Sequence, residues 1–344
     1  MKKKKRLYFR TPALPRCEID YFFYAHLKYS FKKGRLMILE SIKEGFNRAN
    51  QNLQLVLIRI TVTIINLVSF FIFLAVPLII AVLYMGFDLA HAGELLPYLV
   101  GNPFEFISRY IGLILLIGFS FLLYLTFVTM LFLYVLGGTL GVLRSSAENI
   151  GYKFSLSSFF MEAKQNFGRL FRLIFLVSLG CTALFIALVV FGGIFVVIVQ
   201  VMTAGRGVME VFFNSFVMVS ITSFSIIYIL ACLVFSAYSM VISVTDGTDS
   251  MDCIKSTFDF LTQKPGAFLF FFILLIGGGG VNFLFFILKM PFSMVPVFGQ
   301  MMNIVLTLFS AVFQGYIAIV IWSSLMAYYL KITDRPINSA VYEI

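Results

Sequence analysis

Few side chains in this apolar sequence can hydrogen-bond, ionise or attack, so their positions carry the chemical information. Along 211–245, Asn214, Ser225, Tyr228, Cys232, Ser236, Ser239 and Ser243 recur on one helical face, because residues three and four apart lie together on a helix. Along 301–330, Asn303, Thr307, Ser310 and Gln314 do the same, and Ser324 and Tyr328 continue that face. Hydroxyl, amide and thiol groups can recognise a neutral molecule by donating and accepting hydrogen bonds. Two uses follow. Small and hydroxyl residues concentrate at helix–helix seams in lipid. Alternatively the two stripes line a polar cavity, with Asn282 nearby.

Ionisable chemistry is scarce. The six long apolar stretches carry no Asp, Glu, Lys or His near their centres, and such groups mark proton relays and charged-substrate paths in membranes. A proton-coupled pump, an intramembrane metalloprotease and a charged-substrate carrier are therefore disfavoured. Transport of neutral or lipid molecules is not. Asp246 and Asp334 each follow a Thr, which points to local capping, with a catalytic carboxylate pair as the lesser alternative. Arg59 shares a face with Thr63 and Asn66 and is expected to snorkel toward headgroups rather than bind substrate.

His26 and His91 lack companion ligands, and Cys17, Cys181, Cys232 and Cys253 form no CxxC pair. Neither a zinc site nor a disulfide framework is expected, and Cys181 and Cys232 read as small packing residues. Gly137, Gly138 and Gly141 lack the following Lys-Ser/Thr of a phosphate loop and are expected to permit close helix approach. No catalytic residue, cofactor or metal is assigned.

These side chains must be positioned by membrane spans. The chain is 60% hydrophobic and 12% charged, against about 25% charged in soluble domains. Its charge-free runs exceed the roughly 20 residues that cross a bilayer. The net charge of +10 does not indicate nucleic acid, because the basic residues sit in short loops beside spans, where they set orientation. After MKKKKRLYFRTP no apolar core of a cleaved signal precedes Pro12 and Pro15, so the first span is expected to act as the insertion signal.

The order of elements is set by a repeat. SIKEGFNRANQN, starting at Ser41, aligns without a gap on SLSSFFMEAKQN, starting at Ser155, and each leads into an apolar run. A fainter third copy is TDSMDCIKSTFDFLTQKPGAF, where Gln263 and Gly266 match Gln165 and Gly168. The predicted apolar faces are Leu39, Ile42, Phe46, Ala49 and Leu53 in the first copy. In the second they are Leu156, Phe160, Ala163 and Phe167, and in the third Ile254, Phe258 and Leu261. The expected fold class is all-α, a polytopic membrane protein with six transmembrane helices in three repeats of amphipathic surface helix plus two spans.

Its divisions are a basic aromatic tail over 1–34, a first unit over 35–150, a second over 151–247 and a third over 248–344. The linker 86–109 is expected to rest a short helix on the outer surface through Leu95, Leu96, Tyr98, Leu99 and Val100. Lys and Arg crowd the tail and 144–172, whereas the opposite loops hold Arg109, Arg206 and Lys289. Both termini are therefore expected in the cytoplasm.

The entries SLSSFFMEAKQNFGRLFRLIF and SMDCIKSTFDFLTQKPGAF each place a polar stop just before a span. In this the chain resembles a loose group of bacterial six-span membrane proteins. That group includes the membrane domain accompanying some glycerophosphodiester phosphodiesterases. The soluble phosphodiesterase domain and its acidic metal-binding set are absent from this sequence. The resemblance implies a fold and a bacterial inner-membrane address, not an activity.

The expected function is a non-enzymatic component for transport or handling of small neutral or lipid-like molecules. Alternatives are a structural or regulatory anchor recruiting cytoplasmic partners and, least, a lipid-acting enzyme. Expected partners are membrane lipids, with anionic headgroups at the cytoplasmic face. Protein partners and second copies of the chain remain open, and nucleic acid is not expected.

Overall fold

A computed structural model of the protein describes residues 36–84, 101, 103–149, 152–203, 207–293, 295 and 298–333. The basic tail, His26, His91, Cys17, Asp334 and the surface helix expected over 95–100 lie outside the described residues. No strand occurs among the described residues. Among the described residues six helical stretches are long and apolar enough to cross a membrane, and the protein is an all-α polytopic membrane protein.

Helix α1 covers 36–51. After a turn at Asn52 and Leu53 comes α2, Gln54–Phe70, then a wide π turn, Phe71–Ala75, then α3, Val76–Tyr84. The Val76 N–H reaches back five residues to the Phe71 carbonyl. This loosened turn lies just before Pro77, whose ring would otherwise press on the preceding turn. Helix α4 is Pro103–Glu148, α5 is Leu156–Thr203 and α6 is Val208–Asp246. Helix α7 is Ser250–Gln263, α8 is Gly266–Ser293 and α9 is Phe298–Ile332.

The amphipathic segment of the second unit is not a separate surface helix. It runs unbroken into the third span as α5, 48 residues long, about 70 Å at the helical rise. The equivalent segment in the third unit stops. The difference is local: Gln165-Asn166-Phe167-Gly168 corresponds to Gln263-Lys264-Pro265-Gly266. Pro265 cannot donate within a helix interior but suits a helix start, so α7 ends and α8 begins there. The end of α6 is set by Gly247, at φ +65°, whose N–H reaches the Ser243 carbonyl at 3.1 Å. The left-handed conformation there is one that glycine adopts without strain.

Helices α4, α6 and α9 touch one another pairwise, and each pairs with the preceding span of its own unit. Their packed portions lie at one end. Leu133–Leu143 on α4, Val234–Thr245 on α6 and Ile319–Leu330 on α9 supply much of the buried core. Long-range contacts tie this end together: the Arg144 guanidinium donates to the Val244 carbonyl at 2.9 Å, and the Asn52 amide to Ser146 Oγ at 3.4 Å. The segments around Phe46 and Phe160 thus share one end of the bundle. Farther along, over 57–83, 111–132, 178–233 and 275–318, the buried described residues are only Ser69, Ala81, Val217, Gly299, Ser310 and Gly315. The bundle is closed at one end and open along the rest of its length.

The lead-in segments bury only part of each predicted apolar face, at Ala49, Ala163 and Leu261, and turn polar residues inward beside it. On α1, Leu39, Phe46 and Leu53 are exposed, while Ser41, Glu44, Arg48 and Asn52 are buried. On α5, Leu156 and Phe160 are exposed, while Phe159, Ala163, Asn166 and Leu170 are buried. On α7, Phe258 is exposed, while Cys253, Thr257, Phe260 and Leu261 are buried. The physical reason is the solvent. A helix beside lipid can turn apolar residues outward, provided that its inward polar groups find partners.

Those inward faces need close approach. A Cβ at Gly45 would overlap Ser324 Oγ on α9. A Cβ at Gly138 would lie 2.6 Å from the Phe159 ring, and one at Gly141 2.5 Å from Glu162. Within Gly277–Gly280, by contrast, only Gly278 meets a neighbour, Ile321, and α8 runs through all four without a break.

Candidate functional site

Among the described residues a cavity lies between α5 and α6, the two spans of the second unit. It is open-sided and holds about 390 Å³. Tyr228, Cys232, Ser236 and Ser239 line it from α6, and Ser178, Cys181 and Thr182 from α5. Its remaining walls are apolar: Ile174, Val177, Phe185, Ile229 and Leu233.

The local geometry follows from helical spacing. Tyr228, Cys232, Ser236 and Ser239 are three or four residues apart, so they form one row. Ser178, Cys181 and Thr182 form a facing row on α5. The Tyr228 hydroxyl donates across the gap to the Cys181 carbonyl, and the two rings Tyr228 and Phe185 lie 6.2 Å apart. Ser239 Oγ donates to the Ser236 carbonyl at 2.9 Å. The lining contains no charged side chain. It can therefore offer hydrogen bonds and apolar contact but no ionised acid or base.

The remaining sequence candidates lie elsewhere. Asn214 and Ser225 are half-buried on α6 but do not line this cavity. Asn282 is exposed on α8. On α9, Thr307 is exposed and donates to the Asn303 carbonyl, and Gln314 donates to the buried Ser310 hydroxyl at 3.0 Å. The α6 row thus meets α5 of its own unit in this cavity, not the α9 row. Sequence reading missed the α5 row, although the spacing of Ser178, Cys181 and Thr182 would have revealed it.

A second polar cluster sits at the closed end. Glu44 and Arg48, one turn apart on α1, form a buried ion pair, and Lys331 on α9 bridges Glu44 at 3.2 Å and Glu40 at 3.5 Å. Nearby, the Asn50 amide oxygen accepts from the Tyr316 hydroxyl at 2.8 Å. Asp246 was expected to cap its own helix. Its carboxylate instead accepts from the Tyr329 hydroxyl on α9 at 3.1 Å, joining the second and third units. Cys253 is fully buried and donates to the Ser239 carbonyl at 3.1 Å. Burial pushes its thiol up to about 11, which keeps it protonated and unreactive near neutrality. Among the described residues no group of three His, Cys, Asp or Glu could hold a metal ion.

No family model matches the chain, and neither a curated protein nor a solved structure matches it.

Proposed function

We propose that the protein is a non-enzymatic component of a bacterial cytoplasmic membrane that holds or passes small neutral or lipid-like molecules. The α5/α6 groove is where such a molecule sits. One observation carries this reading: a side-opening groove of about 390 Å³ with apolar walls, a double row of neutral hydrogen-bonding groups and no charge. Its volume falls in the range of small-molecule pockets, and its chemistry suits a largely apolar guest with one or two polar atoms.

The closed end faces the cytoplasm in this reading, with both termini on that side. The basic residues of the tail and of 144–172 support the orientation, since positive charge is retained there. The tail would also draw anionic lipid. Three copies of one unit are supported by burial at aligned positions: Gly45, Phe159 and Thr257 all face inward. Each lead-in also rests on the second span of another unit, α1 on α9, the start of α5 on α4, and α7 on α6.

Native mass spectrometry of the full chain tests the assignment. The wild type should carry a neutral or lipid-like molecule that Ser236→Phe, which fills the groove, no longer carries. A wild type that releases nothing, or a variant that retains the same molecule equally, would overturn it. A second reading, an anchor for cytoplasmic partners, has its own support in the charged and tightly packed closed end. Water-soluble thiol reagents separate the two. With the native cysteines replaced, labelling of Ser236→Cys favours passage, and none from either side favours the anchor.

A further inference from the structure

Arg59 lies on α2, inside the first span, and its stem runs against Gly315 of α9, where a Cβ would sit 3.5 Å from Arg59 Cγ. Among the described residues the ion pairs are Arg48–Glu44, Arg144–Glu148 and Lys331 with Glu40 and Glu44. Arg59 belongs to none of them. A guanidinium inside a span is costly to bury, and within membrane proteins such a group marks a functional position.

A cavity of about 160 Å³ adjoins it, between α2 and α4, lined by Arg59, Thr63 and Asn66 on one side and by Val128, Leu131 and Phe132 on the other. That is about five water volumes, enough for a phosphate group and its first carbons. Two of the three polar side chains of this wall can donate to a guest. The Thr63 hydroxyl cannot, because it already donates to the Arg59 carbonyl at 3.0 Å. Asn66 Oδ1 accepts from the Tyr124 hydroxyl at 3.1 Å. This turns the oxygen of the amide to Tyr124 and leaves its NH2 as a donor. Guanidinium and amide N–H groups together, with no acid in the lining, match the oxygens of a phosphoryl anion.

We propose that this cavity binds a phosphoryl anion, with Arg59 and Asn66 as its donors. An anionic phospholipid and free inorganic phosphate both present that chemistry. The apolar wall of Val128, Leu131 and Phe132 accommodates the chain of the former. The site is separate from the α5/α6 groove and does not depend on the function proposed for it.

Native mass spectrometry of the full chain released from lipid nanodiscs tests the site. The probes are dioleoyl phosphatidylglycerol, dioleoylglycerol as the phosphate-free match, and inorganic phosphate. The wild type should retain one phosphatidylglycerol per chain, and any dioleoylglycerol held by the other groove should be lost with Ser236→Phe. Arg59→Gln and Val128→Phe, which fills the cavity while leaving the arginine, should each lower phosphatidylglycerol retention about tenfold. Arg59→Lys should fall between, and Ser236→Phe should leave phosphatidylglycerol retention unchanged. Displacement of the lipid by millimolar phosphate would support the site and assign it to the free anion. Equal retention of both lipids by Ser236→Phe, whose other groove is filled, would overturn the proposal. So would a Val128→Phe variant, folded by its Trp322 fluorescence, that holds phosphatidylglycerol as the wild type does.

Discussion

At the scale of single residues, the closed end depends on charges that have left water. The side chains of Glu44 and Arg48 are 5% and 8% exposed and that of Lys331 is 20% exposed, so each relies on the others for compensation. Removing one member of such a group leaves a buried charge unpaired, at a typical cost of about 3 kcal/mol. Glu44→Gln should therefore lower stability by about that amount, measured by denaturation in micelles and followed through Trp322. Adding Arg48→Met should return part of the loss. A change below about 0.5 kcal/mol, the level of an ordinary surface substitution, would show that the ion pair is not holding α1. The Glu44–Arg48 spacing was visible in the sequence as a one-turn pair. Its burial was not, because Lys331 lies at the far end of the chain.

At the scale of elements, glycine on one helix and aromatic bulk on the next decide how close two helices come. Gly138 leaves space that the Phe159 ring occupies, and Asn166 reaches the Gly137 carbonyl at 3.4 Å. Gly138→Val should force α4 and α5 apart and destabilise the protein by about 2 kcal/mol, as overpacking commonly does. Combining it with Phe159→Ala should recover part of that loss. Strictly additive losses would show that the two positions do not meet. The glycines were legible as a close-approach signal, whereas the helix break at Pro265 was not read from the sequence. The direction of the lead-in helices was not legible. Amphipathic spacing gives a helix two faces, and only the surrounding medium determines which one turns inward.

At the scale of the molecule, the contacts draw α1, the start of α5 and α7 together with the ends of α4, α6 and α9 at one end of the bundle. Single cysteines at Phe46 and Phe160 should therefore react from one side of the membrane. A cysteine at the exposed Val208, the first residue of α6, should react only from the opposite side. Membrane-impermeant labelling of intact cells and of inverted vesicles measures both. Reaction of the Phe46 and Phe160 positions from opposite sides would contradict this bundle and with it the common orientation of the units. The open outer portion has a physical consequence as well. Lipid is as apolar as the exposed Phe, Leu and Ile side chains there, so hydrophobic burial gives those portions no drive to close.

The order of residues alone determined the membrane environment, the span count and the places where glycine and proline punctuate the helices. These depend on local composition and length, which the bilayer reads one segment at a time. Tertiary structure alone decided which residues of the lead-ins turn inward, and that the α6 row meets α5 rather than α9. Only there, too, did Arg59 come to border a cavity. Each of these depends on which helices become neighbours. Neighbours in a bundle are chosen by packing between distant segments, and no local spacing encodes that choice.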